Sequence, residues 1–121
     1  MRINLLIFIL LFGTPLRAEE ACPKFSNGCV PLEHFECSYV AHDECVQRIC
    51  YNQHARYMII WLGTTERNTP YHYCDIGPDE VNALKAAVPM CPYYKDHMRS
   101  KLTGEHGPYD CRDHPVPTTF D

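Results

Sequence analysis

The chain has 121 residues and a formal net charge of −4, with 45% hydrophobic and 21% charged residues. This length fits one domain and excludes most multi-domain enzymes. The composition excludes a disordered or collagen-like chain, and the lack of a basic block argues against charge-driven binding to nucleic acid.

Residues 1–18 have the features of a secretory signal peptide. A basic residue precedes an apolar run over residues 5–12, and a small residue, Ala18, follows a proline. The run is shorter than the roughly 20 residues that a membrane-spanning helix needs. We expect cleavage after Ala18, with a cut after Ala21 as the alternative. The product is then a soluble single domain over residues 19–121, with no stable membrane insertion.

All of the cysteines lie in the predicted mature domain. They are Cys22, Cys29, Cys37, Cys45, Cys50, Cys74, Cys91 and Cys111. An even number in a short secreted chain predicts four disulfides, although the sequence does not choose among the pairings. Five cysteines precede position 51 and three follow position 73. If all of them pair, at least one bridge must therefore join the two halves of the chain.

The first half is predicted to contain an irregular segment, a helix and a strand. Residues 19–36 are rich in turn residues and predict an irregular lead-in tied by bridges. From about residue 41, acidic residues followed by apolar residues at helical spacing predict a helix over residues 42–50. On one helix Cys45 and Cys50 are too far apart to bridge, so we expect different partners. The apolar run over residues 57–63 favours a strand over the end of a long helix.

The second half is predicted to contain a strand, two helices and a loose end. A turn over residues 64–70 leads to a second strand over residues 71–75, which completes a β-hairpin. The clearest helix covers residues 78–88, since a proline and acids open it and Pro89 ends it. Its apolar stripe is Val81, Leu84 and Val88.

A shorter helix is predicted over residues 94–102, closed by Gly104, and residues 115–121 are predicted to be extended and frayed. The elements together predict an α+β fold, a small disulfide-rich single domain with two or three short helices and a β-hairpin.

The sharpest local motif is His42, Asp43, Glu44 and Cys45 at the start of the predicted helix. It resembles the His-Asp-x-Cys helix of the secreted calcium-dependent phospholipases. The resemblance implies that His42 is the general base, that Asp43 ligates calcium and that Cys45 staples the helix. Asp75 is the candidate acid that orients the histidine. A helix start with an acid near its dipole and a structural cysteine is the other interpretation.

A second motif, Tyr71, His72 and Tyr73, is similar to the strand of secreted fungal guanyl-preferring ribonucleases. Glu80, Arg99 and His106 follow in the order which that family uses. Adjacent residues of a strand face opposite sides, however, so His72 is expected to point away from both tyrosines. This spacing favours an aromatic cluster between strands over a catalytic site.

A third group of polar residues surrounds Cys111. His106, Asp110, Asp113 and His114 are possible metal ligands, but a polar surface loop has the same composition. No zinc-protease or phosphate-binding motif is present in the sequence. We predict no metal and no other cofactor.

The whole format resembles the small cysteine-rich effectors that fungal plant pathogens secrete into host tissue. That resemblance implies binding of a host or extracellular protein, in the apoplast or after uptake, with suppression of defence as the outcome. We expect a monomer that is not an enzyme, with the phospholipase-like and ribonuclease-like activities as alternatives. Tyrosines are favoured contact residues, although filling a small core is the other interpretation. The tyrosines considered are Tyr51, Tyr57, Tyr71, Tyr73, Tyr93, Tyr94 and Tyr109.

Overall fold

The computed structural model describes residues 19–22, 28–63 and 70–121. The signal peptide predicted over residues 1–18 and most of the turn predicted before residue 70 lie outside the described residues. The described residues form a small α+β domain with more strand than helix, as the sequence predicts in outline. None of the helices described is long and apolar enough to cross a membrane.

The strands form two antiparallel sheets. A two-stranded sheet pairs β1 (Glu20–Ala21) with β2 (Val30–Pro31). A four-stranded meander follows in the order β3 (Glu36–Tyr39), β4 (Val46–Asn52), β5 (Tyr57–Leu62) and β6 (Tyr71–Tyr73). Two helices then follow, α1 (Pro78–Ala86) and α2 (Met90–His97), and a short 3-10 turn covers Cys111–Asp113.

The meander is covered on both sides, and its two sides have different coverings. On the helix face, strand residues pack against α1 and α2; the core there includes Val46, Ile49, Met58, Ile60, Val81, Leu84, Tyr94 and Met98. On the opposite face, here called the segment face, the cover comes from the small sheet and the last residues of the chain. Its buried residues are Ala21, Val30, Leu32, Cys50, Tyr57, Ile59, Trp61 and Cys74.

Burial on both faces explains one confirmed and one wrong prediction. The strand predicted from the apolar run at residue 57 is confirmed as β5, which is central and apolar throughout. The helix predicted over residues 42–50 is wrong, since β4 occupies most of that span. Ile49 contacts the helix face and Cys50 the segment face. Neighbouring apolar residues can therefore belong to one strand that is buried on both faces. The spacing of apolar residues in such a strand can match that of a helix.

The two C-terminal helices are present with shifted ends. In α1, Val81 and Leu84 are buried as predicted, but the helix ends at Ala86 and Val88 is 94% exposed. The second helix begins at Met90 and ends at His97, so the predicted span of residues 94–102 is wrong.

Two segments predicted to be irregular or frayed are packed. Part of the predicted lead-in pairs as β1 and β2. Near the C-terminus, the ring of Phe120 lies 5.0 Å from that of Tyr57. The buried amide of Asn52 donates to the backbone carbonyl of Phe120 at 2.6 Å. The prediction of a frayed end is therefore wrong, because an aromatic contact and a buried hydrogen bond hold it.

All eight cysteines are paired. The bridges are Cys22–Cys29, Cys37–Cys50, Cys45–Cys91 and Cys74–Cys111. Cys45–Cys91 joins the two halves of the chain, as the cysteine count predicts. Cys45 and Cys50 have different partners, also as predicted, although they lie at a strand and not on a helix. Cys45–Cys91 thus joins the start of β4 to α2 on the helix face, and Cys37–Cys50 joins the edge strand β3 to β4 on the segment face.

Candidate functional site

A row of three side chains crosses the meander at the exposed end of the segment face. The strand register places Tyr39 of β3 opposite Arg48 of β4, and Arg48 opposite Trp61 of β5. The guanidinium carbon of Arg48 lies 5.1 Å from the centre of the Tyr39 ring and 4.7 Å from that of Trp61. Both distances are within the range of a cation–π contact. We call these three residues the Tyr39–Trp61 row.

Besides its contacts with the two rings, Arg48 is held by an ion pair with Glu19. The Glu19 carboxylate accepts two hydrogen bonds from Arg48, at 2.6 and 3.1 Å. This bidentate hydrogen bond with Glu19 raises the pKa of Arg48, and the same bond lowers the pKa of Glu19. The cation is therefore held in place before any ligand arrives.

Tyr39 is the exposed end of the row. Its side chain is 80% exposed, whereas Trp61 is buried. On the segment face, a hollow of about 350 Å³ lies between Tyr39, Val40, Gln47, Arg48 and Trp61. The row thus presents one free ring beside a shallow cavity with a charged and aromatic wall.

A second hollow, of about 330 Å³, lies on the helix face of the same edge strand. It shares Tyr39 and Val40 with the first hollow, and its other walls come from the loop after β3 and from the turn between α1 and α2. Val88, on that turn, is one of its apolar walls, and Lys85 is on its rim. Two hollows therefore flank one exposed strand, one on each side of the sheet.

The residues of the phospholipase-like motif lie beside this second hollow. His42 and Asp43 are in the loop between β3 and β4, and not on a helix as the resemblance implied. His42 is exposed and has a positive φ of 62°. The motif's residues are therefore neighbours of a surface cavity, but they lack the helical frame that the motif has in that family.

Asp43 joins the start of β4 to the start of α2 through its carboxylate. One oxygen accepts from the N–H groups of Cys45 and Val46, and the other from those of Met90 and Cys91, at 2.9 to 3.1 Å. Burial alone would raise the pKa of Asp43, but these four backbone hydrogen bonds lower it overall. The carboxylate satisfies the open N–H groups at the start of α2, which makes it a structural cap.

The same carboxylate is near two sulfur atoms, those of Cys45 and Cys91. These sulfurs are bonded to each other, so neither is a thiolate that could bind a metal ion. The chemistry of this cluster is that of a disulfide next to a helix cap.

Asp75, the third candidate residue, lies in another neighbourhood. Its carboxylate is 3.1 Å from Nε of Arg56 and 3.7 Å from Nδ1 of His114. The Cys45–Cys91 bridge ties the end of the loop that holds His42 and Asp43 to α2. The helix that begins shortly after Asp75 is α1. The structure brings His42 and Asp43 to one loop and places Asp75 with Arg56 and His114.

The strand Tyr71–Tyr73 has the alternation that the sequence predicts. His72 lies on the segment face, where its Nδ1 is 2.5 Å from the Tyr57 hydroxyl. Tyr73 faces the helices, and its hydroxyl is 2.5 Å from that of Tyr94. Burial lowers the pKa of His72 from its usual 6.5 to about 4, and burial raises the pKa of Tyr94 to about 12. The histidine is therefore neutral at ordinary pH and packed among rings.

The polar residues around Cys111 form local pairs. His106 Nδ1 lies 2.9 Å from Asp113, and Arg112 donates to Asp110 at 2.6 Å. The hydrogen bond from Arg112 is the main reason that the pKa of Asp110 is far below its usual range. These two pairs lie within residues 106–113, whereas His114 lies 3.7 Å from Asp75 and Asp110 also accepts from the Ser100 hydroxyl.

No local pattern in the sequence points to the Tyr39–Trp61 row. Of the tyrosines proposed above as contact residues, four are buried: Tyr51, Tyr57, Tyr73 and Tyr94. Tyr39 is not one of the proposed contact residues, and its register opposite Arg48 depends on β4, whose sequence predicts a helix. Comparison with family models, with curated proteins and with solved structures finds no match for this chain.

Proposed function

We propose that this protein is a secreted, disulfide-stabilised binding protein of the effector or inhibitor type. It acts on a host protein or another extracellular protein, with suppression of defence as the expected outcome, and it binds through the surface around Tyr39. The observation that supports this most directly is the row of Tyr39, Arg48 and Trp61, which ends in a ring that is 80% exposed.

The composition of the row suits a binding hot spot. Tryptophan, tyrosine and arginine are the residues most enriched among those that dominate binding energy. Here the arginine is already ordered by Glu19 and by two rings. A partner therefore loses little affinity to the ordering of this side chain.

Secretion is supported by the four disulfides and by the packing of the first described residues. Ala21 is 2% exposed in β1, and the carbonyl of Glu19 accepts from Leu32 N–H at 2.9 Å. A cut after Ala21 would remove β1 and the partner of Arg48, whereas a cut after Ala18 keeps both. We propose that the mature chain begins at Glu19. The intact mass of the secreted protein tests this, and a chain that begins at Cys22 would contradict it.

Capture of a partner tests the binding proposal. The immobilised mature protein is exposed to extracellular fluid from a candidate host, in parallel with Tyr39→Ala and Leu102→Ala variants and with the reduced, alkylated protein. Leu102 is a matched control, because it is 91% exposed and lies in the separate turn between Lys101 and Glu105.

We expect one protein to be retained by the wild type and by Leu102→Ala, and to be lost with Tyr39→Ala and with the reduced form. Equal capture by all four would indicate non-specific adhesion and contradict the proposal. Capture that depends on Leu102 and not on Tyr39 would move the binding surface elsewhere.

A further inference from the structure

We propose that the partner is bound by strand addition: an extended segment of the partner pairs antiparallel with the free edge of β3. The segment carries an aliphatic side chain for the hollow on the helix face and, two residues along on the same face, an acidic side chain. This inference rests on the proposed function and gives that function a binding mode.

At two positions the backbone groups of β3 point away from β4, and none of the described residues bonds to them. Val40 N–H donates to the Gln47 carbonyl at 2.8 Å, so these two residues form a hydrogen-bonded pair with β4. Such pairs alternate along an antiparallel ladder, which directs the groups of Ser38 toward β4 and those of Cys37 and Tyr39 away from it. The Cα atoms of Cys37 and Cys50 are only 4.0 Å apart, as expected for a pair without mutual hydrogen bonds.

This edge is open and already ordered. All four residues of β3 are exposed, and β3 is the outer strand of the meander. The Cys37–Cys50 disulfide ties its middle to β4, and the Tyr39–Trp61 row ties its end. An added strand therefore finds a fixed template, and its main-chain hydrogen bonds cost little ordering of this protein.

The hollows on the two sides of the sheet match the alternation of a strand. Successive side chains of an added strand point to opposite faces of the sheet. One side chain would then enter the helix-face hollow beside Val88 and Met90, and its neighbour would reach the hollow beside Arg48 and Trp61. Main-chain pairing with pockets for alternate side chains is how strand addition gains both affinity and specificity.

Charge selects the side chain at the rim of the helix-face hollow. Lys85 is exposed on this rim, and among the described residues it has no salt bridge. The acid of the same hollow, Asp43, has both oxygens occupied by four backbone N–H groups. Lys85 is therefore available to a carboxylate on the partner, and Val88 and Met90, which line the same hollow, favour an aliphatic residue two positions from that carboxylate.

The test uses short linear peptides selected from a random displayed library on the folded, mature protein. Each enriched peptide is synthesised and titrated against the wild type and the Tyr39→Ala, Lys85→Ala and Leu102→Ala variants. Hydrogen exchange of the backbone amides of the protein is then measured by NMR with and without the peptide. A peptide methylated on alternate backbone nitrogens completes the set.

We expect peptides in which aliphatic and acidic residues recur, and an affinity loss of roughly tenfold with Lys85→Ala. Binding should slow the exchange of the Cys37 and Tyr39 amides at least about tenfold, because these N–H groups gain acceptors. Methylation of every second nitrogen of the peptide should abolish binding in one alternation and preserve it in the other. Leu102→Ala should change nothing.

Three results would overturn the inference. The first is a peptide or protein whose binding needs Tyr39 but leaves the exchange of the Cys37 and Tyr39 amides unchanged. That result would contradict strand addition and would still support the proposed function. The second is protection of these amides in the free protein together with a dimer in sedimentation, which would give the edge to a second copy. The third is a set of ligands that are all indifferent to Tyr39 and Lys85, which would remove the proposed function as well.

Discussion

The two faces of the meander are closed in different ways. The helix face is covered by two regular helices over a core in which Met58, Ile60 and Leu84 have no exposed surface, and Tyr73 and Tyr94 pack into the same core. The segment face is covered by the small sheet of β1 and β2 and by the chain end, and the rings of Phe35, Tyr57 and Phe120 contact one another there. Regular elements bury a whole face, whereas short segments leave its margin open. The Tyr39–Trp61 row is at that open margin. The candidate site is therefore exposed because the short segments leave this part of the segment face uncovered.

Removal of the bridges that close the longest and the shortest loop, one in the cover of each face, should give the largest difference in stability. Cys45–Cys91 closes 46 residues of sequence, and Cys22–Cys29 closes only 7. A bridge that closes a longer loop removes more conformational entropy from the unfolded chain. We expect the double variant C45A/C91A to lose about 4 kcal/mol of unfolding free energy and C22A/C29A about 2 kcal/mol. Denaturant unfolding followed by circular dichroism measures both, and equal losses would contradict the loop-length argument.

Truncation of one core side chain on each face should also destabilise the helix face more than the segment face. Leu84 has no exposed surface between α1 and the meander, while Phe120 is half-buried on the segment face. Leu84→Ala leaves a cavity in a closed core and should cost about 3 kcal/mol. Phe120→Ala removes a ring that water already reaches and should cost about 1 kcal/mol. A larger loss for Phe120→Ala would mean that the chain end is an integral part of the core.

Much of this fold could be predicted from local sequence, and the exceptions have a common cause. The apolar run of β5 and the even cysteine count each predict what the structure shows, and in the predicted stripe of α1 Val81 and Leu84 are buried while Val88 is exposed. The start of α2 depends on the Asp43 carboxylate, which lies 47 residues before Met90. The order of the chain end depends on Asn52, which lies 68 residues before Phe120. Contacts at such separations leave no periodic pattern in the sequence.

The candidate site was not predictable for the same reason. Tyr39, Arg48 and Trp61 are unremarkable in sequence and form a row only when three strands are in register. The motif that is visible in the sequence, at His42 and Asp43, is a local pattern, but Asp43 acts on a part of the chain that is far away in the sequence. Its aspartate caps a helix that starts much later in the chain.

That capping task predicts a pH dependence on the helix face. Because the pKa of Asp43 is lower in the folded chain, its stabilisation is present above the unfolded value of 3.8 and is lost as the pH falls further. Asp43→Asn keeps one acceptor oxygen, but it loses the charge and turns an NH2 donor toward two backbone N–H groups. We therefore expect a loss on the order of 2 kcal/mol at neutral pH. The variant should also show a flatter decline in stability below about pH 4. Asp96→Asn, on the exposed side of α2, is the control.

The segment face should respond to pH in a different window. His72 has a pKa of about 4 in the folded protein against its usual 6.5, so the unfolded chain takes up the proton first as the pH falls. The stabilisation by neutral His72 is therefore complete above about pH 6.5 and declines toward pH 4. His72→Phe keeps a ring at this position and should flatten the decline across that interval. His54→Gln, in the exposed turn after β4, should leave it unchanged, and an unaltered slope in His72→Phe would contradict the assignment.

The smallest effect on stability is expected at the site itself. Tyr39 is mostly exposed and its ring adds one cation–π contact to an arginine that Glu19 already holds. Tyr39→Ala should therefore change the unfolding free energy by less than about 0.5 kcal/mol, while it lowers affinity for a captured partner at least about tenfold. Thermal unfolding and a binding titration on the same preparation give both values. A loss of stability as large as that of Phe120→Ala would make the row part of the scaffold. A small loss of stability with a large loss of binding would mean that the Tyr39 ring serves a partner more than it serves the fold.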